Sequence, residues 1–244
     1  MMRAILTYHS VDTTGSPISV SPDEFQAHVR WLASDAVQVV PLGDLAQTPE
    51  TTDAVSLTFD DALVTAIKYA APVLRANGLP ATFFIPTAHV GKDNRWGGRE
   101  DPGIPVLAIA DWNTLGHLAE DGFELAAHTR THPKLPMCDD AQLMDELEGA
   151  DHEMADRLGC KPQSFAYPYG LSDHRVARAV AERYARGCTT DLRGLASTDP
   201  PERLPRIDAW YLRDARRLRG WGTSRLDLYL GIRRLARRVR RAVS

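Results

Sequence analysis

Ala54-Val55-Ser56-Leu57-Thr58-Phe59-Asp60-Asp61 reads as a strand that runs out into two adjacent carboxylates. Helical spacing begins at about Leu63 and holds to Ala76, where Asn77-Gly78 supplies a usual helix C-terminus. The same strand-then-helix unit recurs on both sides. Ala4–Tyr8, Val37–Val40, Ala81–Ile85, Phe123–Ala127, Ser164–Tyr167, Gly187–Thr190 and Arg206–Asp208 read as strands. Helices are predicted from Ser21, over Asp111–Glu120, Asp139–Leu158 and Asp173–Tyr184. Ser21, Pro22 and Glu24 form a capping box with proline at the first helical position. Repeated β-then-α order predicts an α/β fold, a mostly parallel sheet with helices outside, open or closed as a barrel. In such a barrel, functional residues sit at the C-terminal ends of strands.

Composition sets the outer limits. With 244 residues, 43% hydrophobic and 25% charged, the chain has the proportions of an ordinary globular domain. No apolar run approaches the ~18 residues needed to span a bilayer. The start lacks the longer apolar segment of a secretory signal, and Cys138, Cys160 and Cys188 are too few for a disulfide framework, so a cytoplasmic location is expected. The net charge of −3 conceals a division: from Arg203 onward thirteen arginines face three aspartates, leaving an acidic body and a basic tail.

The polar residues after the strands carry the chemistry. Asp60-Asp61 reads either as a helix N-cap, for which Asp61 would suffice, or as a metal ligand beside a general base. His128-Thr129-Arg130-Thr131-His132 follows another strand; a histidine pair four apart is a weak sign by itself and a stronger one beside the carboxylates. Two histidines and one carboxylate leave an open metal position, the pattern of a catalytic site. Pro168-Tyr169-Gly170 is a strand stop with a turn, or a rigid mount for an oxyanion-binding N–H. His9, closing the first strand, is structural or catalytic. The glycine- and proline-rich stretch from about Thr87 to Pro105 reads as a long functional loop.

Leu57-Thr58-Phe59-Asp60-Asp61, His128-Thr129-Arg130-Thr131-His132 and Phe165-Ala166-Tyr167-Pro168-Tyr169-Gly170, in that order, resemble the first three motifs of the polysaccharide deacetylase (NodB-homology) family. The similarity runs from about Ile5 to Arg206. It implies a distorted (β/α) barrel and metal-dependent hydrolysis of an N-acyl group on a sugar. It further implies Asp61, His128 and His132 as metal ligands, Asp60 as base and the Tyr169 N–H as oxyanion donor. Zinc is the expected metal, with cobalt, nickel and manganese also compatible.

Two departures stand out. The third motif commonly carries an arginine that braces the catalytic aspartate, where this chain has Ala166; Arg206 is the candidate replacement. The late histidine that supplies the general acid is missing, since no histidine follows His174. One branch of the family takes that acid from a Tyr-His segment on the first strand. Tyr8-His9 matches it, with His9 expected across the cleft from Asp60.

Residues 1–212 are expected to form the catalytic domain and 213–244 a basic amphipathic helical extension. Leu228, Ile232, Leu235, Val239 and Ala242 form one apolar stripe among arginines, which either packs on the barrel or lies on anionic lipid at the inner membrane face. Nucleic acid is not an expected partner. The expected substrate is an N-acylated sugar, a glycan or a lipid-linked glycan precursor. The alternatives are a deformylase or amidase using the same metal site, and a non-catalytic glycan-binding protein retaining the fold.

Overall fold

The computed structural model describes residues 1–243, with side chains up to Val239; Arg240, Arg241 and Ala242 of the basic tail lie outside the described side chains. The chain runs β1 (Arg3–Tyr8), β2 (Ser10–Val11), β3 (Ser19–Val20), α1 (Pro22–Leu32), β4 (Gln38–Val39), β5 (Ala54–Phe59) and α2 (Val64–Ala76). It continues through β6 (Ala81–Ile85), α3 (Trp112–Glu120), β7 (Glu124–Ala127), α4 (Asp140–Leu158), β8 (Ser164–Ala166), α5 (His174–Ala181), β9 (Arg186–Cys188), β10 (Arg206–Asp208) and α6 (Ser224–Val243).

The main sheet is parallel throughout, in the order β10-β1-β5-β6-β7-β8-β9, with β4 beside the start of β5. A parallel bridge from Cys188 to Leu204, just before β10, brings the two edges together and nearly closes a barrel. The predicted strands and helices are present, with local differences. The helix expected to reach Tyr184 ends at Ala181, and two-residue strands β2 and β3 pair outside the barrel.

Strand alternation sorts side chains to two sides. Tyr8, Phe59, Phe83 and Phe165 face outward and join Phe25, Leu74, Leu147 and Val180 of the surrounding helices in the larger apolar core. Phe59 and Phe83 stack at 4.7 Å between ring centroids, and Tyr8 stacks on Phe59 at 5.1 Å. The other parity faces inward, where Ile5, Phe84, Ala126, Ala166, Cys188 and Leu204 form a second apolar cluster. Below it, Glu124 accepts hydrogen bonds from Thr82 (2.7 Å) and Ser164 (2.6 Å), so the interior floor is polar but satisfied.

The C-terminal segment is partly built into this core. Leu218, Trp221, Leu226 and Leu230 are buried with the larger cluster, and Trp221 Nε1 donates to the Met2 carbonyl at 3.0 Å. The expected boundary at residue 213 thus falls within a stretch that packs on β1 and α1. The stripe read from the sequence faces outward: Leu228, Ile232, Leu235 and Val239 are 58–66% exposed. Among the described residues, no helix is long and apolar enough to cross a membrane.

Phe83 is fully buried between Phe59 and Phe123. Phe83→Ala should therefore cost about 3–5 kcal/mol in denaturant unfolding. A loss under about 1 kcal/mol would mean that the aromatic row is not a principal support of the barrel.

Candidate active site

Parallel pairing in register delivers the site. Tyr8 aligns with Phe59 and Phe59 with Phe83, so the residues just beyond these strands emerge side by side at one end of the barrel. Asp60 still belongs to the ladder, its N–H donating to the Tyr8 carbonyl at 2.9 Å. Asp61 and Ala62 then turn the chain with positive φ values of 69° and 50°. Asp61 does not cap the next helix: α2 starts at Val64, its N-cap position is Leu63, and no side chain caps it.

His128 and His132 lie on a loop, not a helical turn. Thr129 and His132 have φ values of 64° and 60°, and Tyr169 has 58°. Five of the six non-glycine residues with positive φ among the described residues surround this one site. Such conformations cost about 1–2 kcal/mol each, so other contacts must hold them. Glu146 of α4 is one holder. Its carboxylate accepts the N–H groups of Arg130 and Thr131, both at 2.8 Å, and the Thr131 hydroxyl. Thr129 Oγ1 accepts the His132 N–H at 3.0 Å. At the third motif, Gly170 is required: a Cβ there would lie 2.1 Å from Thr190 Oγ1.

The predicted ligand residues converge. One ligand atom each from Asp61, His128 and His132 lies within 4.8 Å of the others, and all three residues are buried. His128 Nε2 is 3.4 Å and His132 Nε2 3.5 Å from Asp61 Oδ1. Four-coordinate zinc with bonds of about 2.0–2.2 Å sets neighbouring ligands roughly 3.4 Å apart. His128 Nδ1 lies 2.7 Å from the Ala166 carbonyl, which makes Nδ1 a donor and turns Nε2 toward Asp61. Asp61 Oδ1 is buried without a hydrogen-bond partner. Two ring nitrogens 3.4 and 3.5 Å from one buried carboxylate oxygen need positive charge between them, and three ligand atoms at this spacing fit a divalent ion.

Burial would lower His128, but the facing Asp61 and Asp60 carboxylates raise it above the usual imidazole range, so the site draws positive charge to this point. Burial would raise the Asp61 carboxyl, but the neighbouring histidines hold it well below the usual range. Burial pushes His132 down to about 3, against the pull of Asp61, which keeps the ring neutral as a ligand must be. Trp96 stacks on His132 with ring centroids 4.0 Å apart and restricts the ring's rotation.

Asp60 is held differently. Arg206, 1% exposed, grips both its oxygens, Nη1 to Oδ1 at 2.6 Å and Nη2 to Oδ2 at 2.8 Å. Arg206 Nε also donates to the Thr189 carbonyl at 2.8 Å. Burial would raise the Asp60 carboxyl, yet Arg206 above all keeps it below the usual carboxylate range and therefore ionised. Ala166, where the familiar arginine is absent, belongs to the inner apolar cluster, and β10 supplies the guanidinium instead.

His9 requires a correction. Its Nε2 is 3.7 Å from Asp60 Oδ2, on the same side of the cleft and not across it. The reason is register: β1 and β5 are adjacent, so the residues that follow Tyr8 and Phe59 are lateral neighbours.

His9, Asp60, Asp61, His128, His132 and Tyr169 all line one cleft of about 110 Å³. Trp96, Asn94 and Asp101 of the predicted long loop complete it. Asn94 secures that loop by accepting the Leu107 N–H at 2.8 Å and donating to the Pro105 carbonyl at 3.0 Å. The sequence reading passed over Trp96, Asn94 and Glu146. A tryptophan in a glycine-rich loop after a strand was the available signal for Trp96; Glu146 looks like any other glutamate on a charged helix.

Residues 47–186 match the sequence model of the polysaccharide deacetylase family. The chain belongs to the polysaccharide deacetylase family. It is 25% identical over 201 residues to Bacillus subtilis YxkH, covering 80% of this chain and 66% of that protein. It is 23% identical over 203 residues to the poly-beta-1,6-N-acetyl-D-glucosamine N-deacetylase of Staphylococcus epidermidis, covering 78% and 67%. The chain thus spans about two thirds of the length of these curated relatives. Among solved structures, IcaB from Ammonifex degensii is similar with a TM-score of 0.73 at 20% identity, over 89% of this chain and 95% of that one. At that identity the likeness speaks to the fold. The segment matched by the family model stops short of both His9 and Arg206.

Two outcomes follow from the site's supports. Arg206→Met strands a buried carboxylate and should cost about 3–5 kcal/mol, much of it recovered in the Arg206→Met/Asp60→Asn double variant. Additive losses in a denaturation cycle would show that the two side chains are not coupled. Glu146→Ala should weaken zinc binding by about 10–100-fold in calorimetric titration while the barrel stays folded. Unchanged affinity would mean that the histidine loop holds its own shape.

Proposed function

We propose that this chain is a metal-dependent N-deacetylase acting on an N-acetylated glycan. The observation that carries this reading is the division between two adjacent carboxylates. Asp61 has an unpartnered oxygen among two histidine nitrogens, whereas Asp60 is kept ionised by Arg206 and stands outside that ligand group. One acid suits a ligand and the other a base. The glycan class follows the poly-beta-1,6-N-acetyl-D-glucosamine N-deacetylase activity of the Staphylococcus epidermidis relative. The cleft of about 110 Å³ is small, in keeping with an acyl group inside and the remaining glycan outside.

Asp61, His128 and His132 would hold the ion, most simply zinc. When bound, such an ion acidifies water and polarises the acyl carbonyl. Asp60, already ionised, takes a proton from the attacking water. The Tyr169 backbone N–H donates to the oxygen that gains negative charge. His9 gives a proton to the departing nitrogen as the C–N bond breaks, leaving acetate and a free amine on the sugar.

The reading is tested by acetate release from N-acetylglucosamine oligomers. Asp60→Asn should slow turnover by about 10²–10⁴-fold at matched zinc occupancy. His9→Ala should lose most activity on the amide and less on an activated acetate ester, whose leaving group needs no proton. Near-normal turnover in the first variant, or equal losses on both substrates in the second, would assign those roles elsewhere.

A further inference from the structure

Among the described residues, the outer face of α6 has no apolar partner inside the molecule. Leu226 and Leu230 are 3% and 2% exposed and fix the helix to the barrel, while Leu228, Ile232, Leu235 and Val239 are 66%, 60%, 64% and 58% exposed. At 3.6 residues per turn, these four form a single stripe on the side opposite Leu226 and Leu230. Exposed Arg225 lies on one flank of the stripe and exposed Arg238 on the other. Asp227 is the one acidic residue of the helix. Contiguous exposed apolar groups of this kind mark an interaction surface.

We propose that α6 docks this protein on an anionic lipid surface, with Leu228, Ile232, Leu235 and Val239 entering the headgroup region and Arg225 and Arg238 meeting lipid phosphates. An apolar stripe bordered by arginines is the pattern of a helix that lies in the membrane interface. A second copy of α6 is the competing occupant, because the 4-3-4 spacing also suits a coiled-coil seam. The described stripe is shorter than the three to four heptads of a typical coiled coil. The flanks also oppose that pairing, since two copies would bring arginine to arginine with few acids to answer them.

The docked pose has a direction. Trp221, just before α6, binds Met2 near the start of β1, and Arg237 near the other end donates to the Thr190 carbonyl at 3.2 Å. Thr190 lines the cleft, so the helix runs along the barrel wall toward its mouth. Lipid under α6 would lie beside the cleft. Access to a membrane-borne glycan rests on the proposed deacetylase reading; the docking does not.

The test is vesicle co-sedimentation of the full chain without substrate. The probes are vesicles of phosphatidylcholine alone and of phosphatidylcholine with phosphatidylglycerol. The chain should sediment with the anionic vesicles only and be released as salt shortens the Debye length. Ile232→Asp/Leu235→Asp should lower partitioning about tenfold or more. Arg225→Glu/Arg238→Glu should remove the preference for anionic vesicles, an independent readout that leaves the apolar stripe intact. Failure to prefer anionic vesicles, or unchanged binding in both variants, would overturn the proposal. So would a chain that is dimeric in analytical ultracentrifugation and becomes monomeric in the aspartate variant.

Discussion

The bidentate pair between Arg206 and Asp60 joins the last strand of the barrel to the residue that follows β5. Both groups are almost fully buried, so neither charge tolerates loss of the other. The guanidinium also reaches Thr7 at 3.1 Å and the Thr189 carbonyl at 2.8 Å, so β1, β5 and the segment after β9 meet on one side chain. The same contact keeps Asp60 ionised. Barrel closure and the charge state needed for a base are therefore one interaction.

Around that pair the chain accepts unfavourable backbone conformations. Asp61, Ala62, Thr129, His132 and Tyr169 all have positive φ without being glycine. Their strain is offset by contacts from farther away: Glu146 under the histidine loop, and the Ala62 carbonyl accepting the Ala110 N–H at 3.0 Å. Neutral His132, fixed His128 and the unpartnered Asp61 oxygen form a preorganised donor set. Preorganisation of this kind limits the reordering that ion binding would otherwise require.

Much of this was legible in the sequence because the relevant signals are local. Strand Ala54–Phe59 and the capping box at Ser21 each specify their own neighbourhood, and the structure follows them. Lateral relations were less legible. The placement of His9 beside Asp60 depends on which strands are neighbours and in what register, and neither strand states that alone. Glu146 acts on a loop 15 and 16 residues away through its carboxylate, a contact no helical period encodes. Tyr184 is buried and stacks on Phe165 at 5.0 Å, so its apolar spacing extended the predicted helix past its true end at Ala181. Four residues of the tail stripe, Leu228, Ile232, Leu235 and Val239, share an exposed face, but only packing could decide that Leu226 and Leu230 face the barrel and these four face outward.

The central claim is that Asp61, His128 and His132 bind one divalent ion while Asp60 remains outside its coordination. Anomalous diffraction at the zinc edge, on crystals of the full chain equilibrated with zinc, tests it directly. The account predicts a single peak in the cleft about 2.0–2.2 Å from Asp61 Oδ1 and from both histidine Nε2 atoms, with the Arg206–Asp60 pair unbroken. A cleft without a peak, or a peak bonded to Asp60 with Arg206 displaced, would contradict it.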